Sequence, residues 1–255
     1  MILAIDIGNT HILLGGFEGK QARFTEILTT RAHATDLEYA ALLETALRVH
    51  ELTFDDVEGA ILSSVVPAVT HSIRTAIERF TQVTPLVVGP GVKSGLKIKI
   101  DNPAQLGSDL VAAAVGGISK YKVPQINIYM GTATTFSLID EQKSFVGTSI
   151  GAGMGVASEA LSNRTSQLPS IAFETPKKVI GTNTVDSLKS GLMFQTAATI
   201  DGMIERIEEE YGKSCTIVAT GRYAASVVPL CRHTIHYDAD LILEGLIEIY
   251  LRNAS

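Results

Sequence analysis

One phrase occurs twice in this chain, about half its length apart, and it limits the fold more than any other feature. Asp6-Ile7-Gly8-Asn9-Thr10 follows the apolar run Met1 to Ile5, and Tyr129-Met130-Gly131-Thr132-Ala133-Thr134-Thr135 follows Gln125 to Ile128. Each phrase ends a short strand at a glycine and offers small hydroxyl or amide side chains. Each then re-enters an alternating apolar run, at Ile12 and Leu14 or at Phe136 and Leu138. Such a hairpin suits an oxyanion: a tip without Cβ lets backbone N–H groups approach a phosphate, and Asn and Thr add short donors without crowding. Either phrase alone reads as an ordinary turn. Both together, near the starts of two halves of a 255-residue chain, predict a duplicated fold whose halves face each other across a nucleotide.

The order of elements supports duplication. Strand-like runs at 2–7, 12–17 and 23–28 form a meander, followed by a helical stretch 37–50 that Asp36 is expected to cap. An apolar strand at 57–66, a helix at 69–80 and a strand at 86–88 complete the first half. A connector at 89–103, with a short strand at 97–100, leads to an alanine-rich helix at 105–121. The second half repeats the order: strands at 125–130, 135–140 and 144–150, helices around 156–163 and 184–210, a buried strand at 216–219 and a closing amphipathic helix at 241–252. The fold class expected is α/β: two tandem ribonuclease-H-like (actin-like ATPase) halves with a cleft between them, divided as residues 1–115 and 116–255.

Charge and cysteine usage remove several function classes. Asp and Glu number 27 against 21 Lys and Arg, a net charge of −6, and no basic cluster interrupts the sequence, so a nucleic-acid partner is not expected. Cys215 and Cys231 are the only cysteines and lie outside any CxxC pattern, which argues against a disulfide framework. No basic leader opens the chain and no apolar run reaches a membrane span, so a cytoplasmic protein without membrane association is expected.

Several residues are candidates for chemistry. Asp6 leaves the first strand beside the Gly8 turn; a carboxylate there either bonds turn amides or holds Mg²⁺, directly or through water. Asn9 and Thr10 follow as phosphate donors. Gln105-Leu106-Gly107-Ser108-Asp109-Leu110 places a carboxylate in the first turn of an apolar helix. Asp109 there either favours the helix dipole or takes a proton from a substrate hydroxyl, and spacing leaves both open. Gly147 to Gly155 reads as a glycine-rich connector between strand and helix; Gly151-x-Gly153-x-Gly155 does not match the dinucleotide spacing, and no P-loop is present. Ala219-Thr220-Gly221-Arg222 ends a buried strand as a candidate adenosine-side wall. His233 and His236 lack a third ligand, so a metal site there is not expected.

In register, these segments resemble the type III pantothenate kinases, within the superfamily of acetate and sugar kinases, heat-shock chaperones and actin. Asp6 to Thr10 is similar to that family's first phosphate motif and Gly131 to Thr135 to the second. Asn102-Pro103 with Gly107-Ser108-Asp109 resembles its substrate motif. Gly181-x-Asn183-Thr184-Val185-x-Ser187 resembles the substrate motif at the dimer side. Ala219-Thr220-Gly221 and Asp240 to Leu246 complete the series.

The resemblance implies ATP-dependent phosphorylation of pantothenate, the first step of coenzyme A synthesis, by a homodimer needing Mg²⁺ and a monovalent cation, K⁺ or NH₄⁺. It implies Asp109 as general base. ATP would meet Asp6, Ile7, Gly8, Asn9, Thr10, His11, Ile12, Leu13 and Thr132, with Asp6 holding Mg²⁺ through water. Pantothenate would meet Ile100, Gly107, Ser108, Asp109, Leu110 and Thr184, the last across the dimer interface. Four positions depart from the family's pattern: Leu110 replaces an arginine, Ile100 a tyrosine, Arg222 a glycine, and Tyr129 the aspartate of the monovalent-cation site. A phenol is neutral near pH 7 and does not replace that charge. Two other readings compete. One is a weakly active or inactive relative that binds nucleotide or pantothenate as a regulator. The other, a nicotinamide-dependent enzyme using Gly151 to Gly155, conflicts with the meander order.

Overall fold

The structure, a computed structural model, describes residues 1–254. The chain divides into two compact units, Met1–Lys120 with Asp240–Ser255, and Tyr121–Ala239. In the first unit, β1 (Ile2–Ile7), β2 (His11–Glu18) and β3 (Gln21–Thr29) form an antiparallel meander. β4 (Gly59–Ser64) and β5 (Leu86–Val87) extend it in parallel, in the order β3-β2-β1-β4-β5. Helices α1 (Asp36–Val49), α2 (Pro67–Thr81) and α3 (Ser108–Lys120) and a short strand β6 (Lys97–Ile98) belong to the same unit.

The second unit repeats this plan. β7 (Gln125–Met130), β8 (Ala133–Ile139) and β9 (Ser144–Ala152) form the meander, and β10 (Thr216–Thr220) and β11 (His236–Tyr237) the parallel extension. Its strand order β9-β8-β7-β10-β11 matches β3-β2-β1-β4-β5 strand for strand and sense for sense. Helices α4 (Met154–Arg164), α5 (Thr184–Tyr211) and α6 (Ala224–Val227) complete it.

The strands that carry the repeated phrases are near-continuous apolar runs because they lie at the centre of their sheets, where both faces are covered. In the first unit Leu3, Ile5, Ile7, Ile12, Leu14 and Leu62 pack with Tyr39, Leu43 and Leu47 of α1 and Ile73 and Ile77 of α2. Each such fully buried aliphatic side chain contributes about 1.5–3 kcal/mol. Tyr39 meets the cost of burying its hydroxyl by donating to the Arg31 carbonyl at 2.9 Å and accepting from the Arg31 amide at 3.0 Å. In the second unit Ile126, Ile128, Met193, Ile200, Ile204 and Val227 play the corresponding part.

Three details differ from the sequence expectation. The closing helix α7 (Leu241–Asn253) is grouped with the first unit, not with residues 116–239. It packs on α3 so tightly that a Cβ at Gly245 would strike the Ala112 carbonyl and one at Gly116 the Leu241 carbonyl; small residues on both helices permit the approach. Helix α1 is capped by Thr35, not Asp36. The Thr35 hydroxyl accepts from the Glu38 amide, and the Glu38 carboxylate accepts from the Thr35 amide, a capping box that shifts Asp36 into the first turn. β9 runs on to Ala152, two residues past the strand end expected at 150, because β8 keeps its partner out to the Ala133–Ala152 pair, which leaves Gly153 alone as the N-cap of α4.

Candidate active site

Parallel pairing of β1 with β4 sets the first unit's chemistry. The register places Asp6 beside Ser63 and Ile7 beside Ser64. Beyond Ile7 the chain turns at Gly8, whose amide donates to the His11 carbonyl at 3.0 Å. Thr30, just past β3, fastens the turn: its hydroxyl donates to the Gly8 carbonyl at 2.7 Å and its amide to the Thr10 carbonyl at 3.0 Å. Asn9 and Thr10 are exposed at the tip and His11 half-exposed, whereas Ile7 and Ile12 are wholly buried in the core. Leu13 is partly buried opposite Asp6 on β2.

Asp6 itself is 2 % exposed, and its Oδ1 has no hydrogen-bond partner among the described residues. Burial, and then the charge of Asp109, push its pKa up to about 7, while a hydrogen bond with Ser63 pulls the other way. A buried carboxyl oxygen left without a partner calls for an explanation, which a ligand would supply.

Asp109 arrives from α3. Its pKa is also raised, chiefly by burial, against a hydrogen bond that its Oδ1 accepts from the Leu110 amide at 2.9 Å. The carboxylate folds back over Gly107, so that a Cβ there would strike Asp109 Oδ1 and turn the carboxylate aside. Leu110 is buried at 8 % exposure and Ile100 is half-buried. The sequence reading missed Ser63, Ser64 and Thr70. The Ser108 hydroxyl bonds Ser63 Oγ and the Ser64 amide, both at 2.9 Å, and Thr70 donates to Ser64 Oγ at 2.6 Å. The run Ser63-Ser64 at the end of an otherwise apolar strand was the available signal.

In the second unit the Gly131 amide donates to the Ala133 carbonyl at 3.0 Å. Gly153, entering α4, donates to the Thr132 carbonyl at 3.1 Å and lies so close that a Cβ on it would strike the backbone oxygens of Gly131 and Thr132. The first turn of an uncapped helix therefore stands against the hairpin tip, where N–H groups favour an anion. Thr132 is exposed. The Tyr129 ring covers the tip glycine: a Cβ on Gly131 would lie 3.1 Å from its Cζ and 3.2 Å from its hydroxyl oxygen.

Thr184 opens α5 on the surface, next to Asn183, whose side chain accepts from the Asp186 amide at 2.9 Å. The two histidines have separate partners: His233 Nδ1 is 3.0 Å from Asp201, and the His236 ring lies tilted against Tyr121 with centroids 5.2 Å apart. No cluster of three or more His, Cys, Asp or Glu able to hold a metal occurs among the described residues. Both cysteines are free, with thiols pushed up to about 11 and about 12 by burial. No helix among the described residues is long and apolar enough to cross a membrane.

Comparison with known proteins gives a consistent result. A family model described as type III pantothenate kinase matches residues 2–206. A type III pantothenate kinase of Exiguobacterium sp. (strain ATCC BAA-1283 / AT1b) is 42 % identical over 254 residues, covering 99 % of each chain. Among solved structures, the activator of the 2-hydroxyisocaproyl-CoA dehydratase from Clostridium difficile with bound ADPNP superposes with a TM-score of 0.59 at 13 % identity, over 99 % of this chain and 94 % of that one. A ROK hexokinase from Thermus thermophilus gives 0.54 at 12 % identity, over 99 % of both. At such identities these two structures bear on the fold alone, which is the two-lobed, actin-like ATPase fold.

Proposed function

The chain belongs to the type III pantothenate kinase family, and from that premise we propose that it transfers the γ-phosphoryl group of ATP to the primary hydroxyl of pantothenate, giving 4′-phosphopantothenate, the first step of coenzyme A synthesis. The observation that carries the mechanism is the pair of carboxyl groups in the first unit, Asp6 buried with an unpartnered oxygen and Asp109 half-buried, both with raised pKa. Asp109 accepts the hydroxyl proton as the substrate oxygen attacks phosphorus and ADP departs; a carboxylate made more basic by burial suits that work. The tip amides around Gly8 and Gly131, with Asn9, Thr10 and Thr132, hold phosphate oxygens.

The unpartnered Asp6 oxygen fits Mg²⁺ held through water, and with no cluster of metal-binding side chains among the described residues the ion would take its remaining ligands from phosphates and solvent. Mg²⁺ supplies neutralisation of phosphate charge. Tyr129 does not fit a monovalent-cation site, since it offers a neutral phenol, so no part of the reaction is assigned to K⁺ or NH₄⁺.

The same reading makes the protein a cytoplasmic homodimer with Thr184 reaching the neighbour's pantothenate. Two free thiols suit a reducing compartment. Around Thr184 the large apolar residues Val179, Ile180 and Val185 are exposed, Ile180 at 81 %, as expected of a surface that a second copy covers. Mixing inactive Asp109→Asn with inactive Thr184→Ala subunits restores part of the activity, because one hybrid site carries both native residues; a dead mixture with demonstrated subunit exchange refutes the shared site.

The assignment is tested by ATP consumption with and without pantothenate, with phosphopantothenate measured by mass. A second reading, an inactive relative that binds these ligands as a regulator, is favoured by the buried Leu110, which leaves the start of α3 without a cation for pantothenate's carboxylate. Pantothenate-dependent ATP turnover eliminates it; binding without turnover establishes it.

A further inference from the structure

We infer that Ser63 and Ser108 are positioning residues that lock the two carboxylates into one frame, and that the Ser108 hydroxyl makes no contact with substrate. The inference rests on the roles proposed above for Asp6 and Asp109.

A serine hydroxyl has one proton to donate and two lone pairs to accept with. Ser108 Oγ uses all three: it donates to the Ser64 carbonyl at 3.1 Å and accepts from Ser63 Oγ and from the Ser64 amide, each at 2.9 Å. Nothing remains for a ligand. Ser63 is wholly buried, 0 % exposed, so it reaches no ligand either. It stands in register with Asp6 on the neighbouring strand, and its single proton is shared between the Asp6 carboxyl and Ser108 Oγ. A continuous path therefore runs from Asp6 through Ser63 and Ser108 to the backbone of the residue that precedes Asp109. The end of β4 is itself held: Ser64 Oγ accepts from the Val66 amide at 3.0 Å and from Thr70 Oγ1 at 2.6 Å.

The consequence is geometric. Phosphoryl transfer depends on the place of the base relative to the phosphate site, and a displacement of about 1 Å costs up to about 100-fold in rate. Three hydrogen bonds of Ser108 Oγ tie the start of α3 to the end of β4, so loss of either hydroxyl lets the first turn shift relative to Asp6.

Three readouts test this. Ser63→Ala and Ser108→Ala each lower kcat by about 10- to 100-fold with both KM values within about threefold. The double variant is no worse than the worse single one, because both break the same link, and Ser108→Thr, which keeps the hydroxyl, keeps kcat within about threefold. A raised KM for pantothenate at unchanged kcat in Ser108→Ala makes the hydroxyl a substrate contact and overturns the inference, as do losses that multiply in the double variant. Amide hydrogen exchange over residues 111–114 is read on the full-length protein without any turnover. Faster exchange in both alanine variants supports the frame even if the chain proves not to phosphorylate pantothenate, and unchanged protection in both overturns it.

Discussion

The two glycine hairpins occupy the same place in two copies of one sheet, yet the residue two positions before the tip differs: Asp6 before Gly8 and Tyr129 before Gly131. The first hairpin keeps a buried carboxyl group with an unpartnered oxygen and is fastened by a threonine just past the end of β3. The second lays a neutral ring over its tip glycine and is fastened by a helix start pressed against its backbone. On the proposed reading, duplication fixed where a phosphate is met, while one side chain in each copy decides whether a carboxyl group or a neutral ring stands behind it. The first hairpin is suited to metal and proton chemistry, and the second to holding an anion by amides.

The largest expected effect lies with the carboxylates. Asp109→Asn lowers turnover by about 100-fold or more with the fold intact, because an amide does not accept the hydroxyl proton. Asp6→Asn causes a loss of similar order and raises the Mg²⁺ requirement. Tyr129→Phe changes turnover by less than about threefold. Steady-state kinetics on the three purified variants decides the matter, and a Tyr129→Phe loss as large as that of Asp6→Asn would break the contrast between the hairpins.

A smaller effect separates how the tips are fastened. Gly153→Ala forces a Cβ into the Gly131 and Thr132 carbonyls, so α4 must withdraw from the tip, and ATP affinity falls by about tenfold, roughly one charge-assisted contact. Gly147→Ala, on β9 with open space where a Cβ would stand, leaves ATP binding unchanged. Nucleotide titration by calorimetry tests the pair. Equal affinities in both variants would show that the second tip does not depend on the close approach of α4.

Much of this was legible in residues. The doubled phrase with its glycine predicted both hairpins, and the meander order predicted two sheets of one plan, because an apolar run ending at glycine and resuming in alternation has few other structures open to it. What escaped depended on contacts distant in sequence. Thr35 capped α1 in place of Asp36 because Glu38 completes the box. Gly151 and Ala152 joined the strand because their partners on β8 were there to bond them, which outweighs glycine's weak strand preference. The grouping of α7 with the first unit came from a glycine contact that no local pattern announces. At the site, Asp6 and Asp109 were visible as carboxylates beside glycines. The hydroxyls that join them were not, since Ser63 and Ser108 meet only through the packing of α3 on β4.

The first hairpin's stored carboxyl also predicts a pH dependence that the second lacks. With a folded pKa of about 7 against an ordinary value of 3.8, Asp6 is protonated in both folded and unfolded chains below about pH 4 and contributes nothing to the pH dependence there. Between about pH 4 and 7 the folded chain holds the extra proton, so stability falls as pH rises. Above about 7 the penalty is complete, on the order of 4 kcal/mol at most. Without Mg²⁺ or nucleotide, Asp6→Asn should therefore melt higher than the native protein at pH 8 and the same at pH 4. An identical difference at both pH values would mean that Asp6 ionises in the fold as it does in water.

The smallest effect concerns the monovalent cation, and it tests the second hairpin by asking whether charge can be restored to it. A hard cation such as K⁺ needs several oxygen ligands and gains most from a carboxylate; a phenol, neutral until about pH 10, adds one weak ligand and no charge. The Tyr129 ring also rests against Gly131, in the space beside the tip. Turnover of the native protein should change by less than about twofold when K⁺ replaces a large inert cation at constant ionic strength, the size of a nonspecific salt effect. In Tyr129→Asp the ring is gone and the second hairpin carries a carboxylate where the first carries Asp6. Saturable activation by K⁺ or NH₄⁺ should then appear. Steep, saturable activation of the native protein would show that carbonyls or a carboxylate from another segment already complete a cation site, and the neutral character assigned to the second hairpin would fail with it.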